Sequence, residues 1–214
     1  MTFNSYSTAA NVKALLPTKT MGTTYDVLLT KLIIQASRMI DGFLAREPGA
    51  FAVGDETTRY FDGTGKPTLW VGEMASVPSS VLVAETGKVD HAGGTGGTYT
   101  AWAVSDYRCV PYNALAKKRP IHWLEIDVLN GTKAIWYSFP KAVKITNYFG
   151  FATTTNLPDE IAHATDVQAL RWFLRAQQGY ADVGAITDLG QLSFVKKLDP
   201  EVQVILSEAK FRWP

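Results

Sequence analysis

Residues 61–70 read Phe-Asp-Gly-Thr-Gly-Lys-Pro-Thr-Leu-Trp, and Gly63, Gly65 and Lys66 are the residue types of a phosphate-holding loop. Such a loop works because the backbone amides of a glycine-rich turn cradle phosphates and a following Ser or Thr hydroxyl holds magnesium. Here Pro67 follows Gly65 and Lys66, and Tyr60 stands where the leading glycine is needed. The β-prone Thr68–Val71 leaves no room for the helix that should come next. An Asp-Gly pair flanked by β-prone runs is instead a hairpin signal. Asp62, Gly63 and Gly65 are therefore expected to form a β-hairpin turn, with Gly63 or Gly65 supplying a positive φ.

Other constellations are thin. The run Gly-Gly-Thr-Gly-Gly at 93–97 lacks the helix and the acidic partner of a dinucleotide site and reads as a loop tip. His91, His122 and His163 fall in a loop, a strand and a helix, in no paired ligand spacing. Cys109 lies in a β-prone run, where an inert thiol is the simpler reading. Asp159 and Glu160 are adjacent and do not face each other on a helix, so they read as helix-start acids. No Gly-x-Ser-x-Gly occurs. The expectation is a protein with no catalytic residues, no cofactor and no metal.

Two clusters are basic, Lys117-Lys118-Arg119 and Lys196-Lys197, and the simpler reading of both is a solvated turn. Trp102, Tyr107, Tyr112, Trp123, Trp136 and Tyr148 could stack bases on a β face, but such residues more often fill a sheet core or a protein interface.

The elements that must position these residues fall into three zones of a 214-residue chain. Hydrophobic residues make up 46%, enough for a sizeable core. Lys plus Arg is 21 against 20 for Asp plus Glu, a net charge of +1, which argues against a generally basic DNA-coating protein. One cysteine allows no intrachain disulfide and suits a reducing cytosol. The opening residues lack a basic start followed by an apolar run, so no secretory signal is expected. No apolar run is long enough to span a membrane.

Residues 1–50 read as helical, with Ser7 or Thr8 capping a short helix stopped by Pro17. A longer helix is expected over about Thr24–Ala45. Its buried stripe would be Tyr25, Leu28, Leu29, Leu32, Ile33, Ala36, Ile40, Phe43 and Leu44, with Lys31, Gln35, Arg38 and Asp41 facing outward or toward a partner. Residues 51–150 alternate short β-prone runs with Gly, Pro and Asn, the pattern of a small antiparallel sheet or sandwich. Residues 151–214 return to helix, beginning at Pro158 and again at Asp199-Pro200. The expected class is α+β. A helical bundle of residues 1–50 and 151–214 would carry an inserted antiparallel β domain of residues 51–150, entering near Arg46 and leaving near Phe151.

Taken in order, several segments look like one family. They are the long helix through Thr24–Leu44, then Thr57–Gly65, Thr68–Val71, the strand near Ser80–Val83, Trp102–Ala114, Ala142–Phe151, Leu157–Gly179 and Leu198–Trp213. This order resembles the head–tail connector (adaptor, or head-completion) proteins of long-tailed bacteriophages, in the longer form with a β insertion. The resemblance implies a structural protein of the virion neck, made in the host cytoplasm. It implies a homo-oligomeric ring of twelve copies to match the portal, bound to the portal and to the next neck or tail-completion protein. Double-stranded DNA would pass through its lumen without sequence-specific contact, and no membrane is involved. It also places portal docking at the C-terminal end. Lys210, Phe211, Arg212, Trp213 and Pro214 are the candidate residues, since aromatic and Arg side chains are the types enriched at hot spots. Two other classes stay open: a carbohydrate- or host-surface-binding β module, and an enzyme with a dispersed site.

Overall fold

The structure is a computed structural model and describes residues 4–16, 22–91, 96–177 and 198–208. The chain divides into two compact units, one built from 1–49 with 157–214 and the other from 50–156.

The first unit is helical. Helix α1 spans Ala9–Ala14, and the Thr8 hydroxyl caps it by accepting from the Asn11 amide at 3.3 Å. Helix α2 spans Asp26–Phe43 after one 3-10 turn at Thr23–Tyr25. Helix α3 spans Asp159–Gln177, with Asp159 and Glu160 in its first turn. Helix α4 spans Pro200–Glu208, and Asp199 accepts from the Glu201 amide at 2.9 Å. The stripe of α2 meets α1 and α3 in a core of Val12, Leu29, Leu32, Ile33, Ala36, Ala169 and Phe173. Helices α3 and α4 are tied by the Arg171–Asp199 ion pair and by Gln168, whose Oε1 accepts from the Asp199 amide at 2.9 Å.

Three residues of α2 and its N-terminal approach depart from expectation. Tyr25 and Phe43 remain well exposed. Asp41, expected to face outward, is buried. The reason lies in the chain before α1, where Tyr6 is also buried and its hydroxyl donates to Asp41. Helical periodicity cannot report a segment that folds over the polar edge of a stripe.

The second unit is built from two antiparallel sheets. Strands β1 (Thr57–Phe61), β2 (Thr68–Met74), β3 (Ser80–Val83), β4 (Thr100–Ala101), β5 (Tyr107–Val110), β6 (Ile121–Ile126) and β7 (Val143–Asn147) coincide with the β-prone runs. One sheet has the order β1-β7-β3-β4 and the other β2-β6-β5. Inward residues of both share one core that includes Leu69, Val71, Val81, Val83, Leu124, Ile126, Trp136, Val143 and Ile145. The chain therefore has the expected α+β class, with terminal helices and an inserted β part.

The β unit runs to residue 156, past the expected end at 150. Val53 bridges Thr153, the Phe151 amide donates to the Ala50 carbonyl at 2.7 Å, and Phe51 packs on Phe151 at 5.0 Å. These contacts bring the ends of the insertion together, and only glycine fits at 150. A Cβ there would lie 2.8 Å from the Ala50 carbonyl oxygen.

The 61–70 stretch is not a β-hairpin turn, which corrects the expectation for Asp62, Gly63 and Gly65. Strand β1 pairs with β7, Thr57 opposite Asn147, and β2 pairs with β6, Thr68 opposite Glu125. The turn carries the chain from one sheet to the other. An Asp-Gly pair bends the chain in either case, and which strands then pair is decided by the shared core.

Candidate interaction surfaces

The Gly63–Lys66 loop is packed against residues 136–141. The Gly63 amide donates to the Phe139 carbonyl at 2.9 Å and the Gly65 amide to the Trp136 carbonyl at 2.7 Å. The Lys66 amide donates to the Thr64 hydroxyl at 3.2 Å, and the Lys141 amide to Asp62 Oδ1 at 2.8 Å. The amides that a phosphate would need are already bonded. Gly65 holds a φ of +68°. Gly63 is required for a different reason, because a Cβ there would sit 1.5 Å from the Tyr137 carbonyl oxygen.

Two substitutions separate these roles. Lys66→Ala is expected to change stability by less than about 0.5 kcal/mol, as for an exposed surface side chain, and to leave assembly intact. Gly63→Ala should cost roughly 1–3 kcal/mol through overpacking. Chemical denaturation of the two variants checks this. ATP binding that Lys66→Ala abolishes would restore the phosphate-loop reading.

The remaining candidates scatter. His91 lies in a loop beside Gly96, His122 on β6 has its Nδ1 3.1 Å from the Gly72 carbonyl of β2, and His163 sits on α3. Among the described residues, no group of three His, Cys, Asp or Glu could hold a metal ion. No described helix is long and apolar enough to cross a membrane. Burial pushes the Cys109 thiol up to about 11, so it is a poor nucleophile. Of the basic clusters, Lys117 ends a 3-10 turn over Leu115–Lys117, with Lys118 and Arg119 exposed beside it. Lys196-Lys197 and the candidate docking residues Lys210, Phe211, Arg212, Trp213 and Pro214 lie outside the described residues.

The aromatic residues sort into two sets. Trp102 and Trp136 are buried and stacked at 4.7 Å, and Tyr107 is buried with them. Trp70 and Trp123 face out, 41% and 42% exposed, directly opposite each other on β2 and β6. Their rings meet edge-on at 4.6 Å, and His122 stacks on Trp70 at 5.5 Å. Val110 on β5 lies opposite Trp123, and the exposed Tyr112 follows, its hydroxyl donating to Glu125 at 3.1 Å. Trp70 was absent from the aromatics singled out in the sequence. Its signal was the alternation Leu69-in, Trp70-out, Val71-in.

One end of the same unit carries a second apolar feature that the sequence did not mark. Val104, Val128 and Leu129 project into solvent, Leu129 at 82% exposed. The 127–132 turn that carries two of them is held by two carboxylates. Asp127 accepts from the Leu129 and Asn130 amides and from Arg108 Nε at 2.7 Å. Asp106 accepts from the Thr132 amide at 2.9 Å. The Arg108 guanidinium holds the Asp127 carboxyl well below its usual range, and the Thr132 amide lowers that of Asp106.

No protein-family model and no curated protein sequence matches the chain. Solved structures do. A chain of the neck of an empty gene transfer agent particle, computed with C6 symmetry, matches with a TM-score of 0.53 at 16% identity, covering 96% of this chain and 88% of that one. A chain of the neck of the native particle, computed with C12 symmetry, matches with a TM-score of 0.50 at 15% identity, covering 96% and 87%. At that identity the likeness is one of fold, and it takes in both units. The chain thus shares the fold of a neck component of a phage-like particle, in keeping with the resemblance to head–tail connectors that its sequence carries.

Proposed function

We propose that this chain is a structural head–tail connector, or adaptor, of a phage-like particle. It forms a homo-oligomeric ring below the portal, extends the DNA channel and supplies the platform for the next neck or tail protein. The observation that carries the reading is the extent of the fold likeness. It spans 96% of this chain and 88% of the neck chain, so the helical unit and the β unit occur together in both. The role needs no catalysis, and the Gly63, Gly65 and Lys66 amides of the phosphate-loop candidate at 61–70 are already bonded. A net charge of +1 suits a lumen that passes a polyanion without gripping it, so any DNA affinity is weak and falls with salt. Portal docking is assigned to Lys210–Pro214 on the family resemblance and on residue type.

Disrupting the gene in a producing strain tests the reading. The expected result is heads without tails beside free tails, with DNA delivery abolished and restored by a plasmid-borne copy. Tailed particles that deliver DNA normally without the chain would overturn it. The Trp70–Trp123 face is also of a kind that stacks on sugar rings. Glycan-array binding by the isolated protein, together with normal tailed particles in the disrupted strain, would favour the carbohydrate-binding reading instead.

A further inference from the structure

We propose that copies of this chain join head to tail through the β unit, the 127–131 turn of one copy seating Val128 and Leu129 on the Trp70–Trp123 face of the next. The inference rests on the ring reading above and names the contact that builds the ring.

The turn has the properties of a preformed anchor. Surface turns are ordinarily polar, yet this one presents two aliphatic side chains at 66% and 82% exposure. It is also held from several sides. Besides the bonds already named, Asn130 Nδ2 donates to Asp127 at 2.8 Å and the Gly131 amide donates to the Asp127 carbonyl at 2.8 Å. Gly131 packs so closely that a Cβ would lie 2.7 Å from the Asp106 Cα. A turn fixed before contact loses little conformational entropy on binding.

The face has the matching chemistry. Trp70 and Trp123 form an exposed, angled aromatic surface, and Trp is a residue type that dominates interface energetics. The charges beside it are satisfied inside the chain. Arg108 grips Asp127 with two bonds, at 2.7 and 2.8 Å, and Glu125 accepts from Tyr112. The face therefore asks for an uncharged apolar partner, which DNA is not. The anchor answers that demand, because the carboxylates beneath it are consumed by the same Arg108 and by backbone amides. Two different surfaces that complement each other on one chain allow a heterologous contact, the kind that the ring reading requires and that closes where the rotation permits.

Cross-linking tests this on the full chain. Trp123→Cys combined with Leu129→Cys places one thiol on each surface, and a short bismaleimide linker joins thiols that meet. Wild type serves as the control for any reaction at the half-buried Cys109. The expected result is a ladder of covalent multimers from the double variant, while each single variant stays monomeric and a mixture of the two singles gives dimers only. Trp70→Cys with Leu129→Cys is the second pair, and circular dichroism confirms that both variants are folded. Absence of multimers from both pairs would overturn the contact. So would dimers from the double variants that never extend, which mark a two-fold contact. The protein's presence in purified particles is scored separately by immunogold labelling. Labelled necks without a ladder reject this contact alone, and a ladder without labelled necks rejects the neck reading.

Discussion

Trp136→Ala is expected to unfold the β unit first and to cost roughly 3–5 kcal/mol, the range for emptying a buried Trp site. Trp136 belongs to no strand, yet it is wholly buried. Its ring stacks on Trp102, its Nε1 donates to the Pro67 carbonyl at 3.0 Å, and its own amide donates to the Lys66 carbonyl at 3.0 Å. It therefore joins the crossover between the sheets to the core beneath them. Trp102 is itself positioned by Glu85, which accepts from its Nε1 at 2.9 Å and from Lys133 at 2.6 Å. Removing Trp136 leaves a cavity under the crossover and takes one of two donors from the Pro67 carbonyl, which keeps the Ile126 amide at 2.8 Å. A loss of that size approaches the whole stability of a small domain, about 5–15 kcal/mol. The melting temperature of the β unit should fall by well over ~10 °C. Trp136→Phe keeps a ring in the site and gives up the Pro67 bond, so it should fall between wild type and Ala. Calorimetry checks the order. A change below about 1 kcal/mol for Trp136→Ala would mean that the site collapses around the loss and that the crossover is held elsewhere.

The same crossover marks the limit of what could be read from the sequence. All seven strands were legible, because β-branched and aromatic runs between Gly, Pro and Asn punctuation are a local signal. The partner of each strand was not. Asp62-Gly63 would serve a hairpin equally well, and β1 finds β7 across a separation of some eighty residues. Inside and outside were half legible. Leu69 and Val71 flank Trp70 and show it facing out, but β6 has both Ile121 and Leu124 buried, which strict alternation forbids. The register shift between Trp70 and Met74, with Gly72 at a φ of +77°, restores Met74 and Ile121 to the core. The exposed anchor at Val128 and Leu129 could not be seen at all. Two aliphatic residues after a strand look like its continuation until the Asp106 and Asp127 carboxylates are known to fold the chain back.

Asp41→Ala is expected to cost the helical unit roughly 1–3 kcal/mol or more, the range for leaving a buried donor such as the Tyr6 hydroxyl without its acceptor. The Asp41 carboxylate is 1% exposed and ties three segments together. It accepts from the Tyr6 hydroxyl, from the Gly49 amide at 3.0 Å, and faces Arg38 Nε at 3.4 Å on the same helix. The N-terminal segment is also fixed by the Tyr6 amide on Ser37 Oγ at 3.0 Å and by Arg38 on the Asn4 carbonyl at 2.9 Å. Burial raises the Asp41 carboxyl above its ordinary value despite these donors, and burial raises Asp166 likewise. A raised folded value means that the native helical unit binds more protons than the unfolded chain, so its stability rises as pH falls through the raised values toward the ordinary carboxylate range. The β unit has the opposite sign. Asp127 is lowered by Arg108, Asp106 by the Thr132 amide, Asp90 by the Gly97 amide and Glu85 by Lys133. Their contribution is present above the ordinary carboxylate values and is lost as pH falls below about 4. Acid should therefore melt the β unit while the helices persist. Tryptophan fluorescence of a Trp172→Phe, Trp213→Phe background reports the first event, since the other four tryptophans, Trp70, Trp102, Trp123 and Trp136, all lie in that unit, and far-UV circular dichroism at 222 nm, in the ordinary helical band, reports the second. In Asp41→Ala the helical signal should be weaker at every pH and should lose part of its acid stabilisation. Coincident loss of both signals in wild type, at one pH midpoint, would show that the two units unfold as one and that these carboxylates do not set the order.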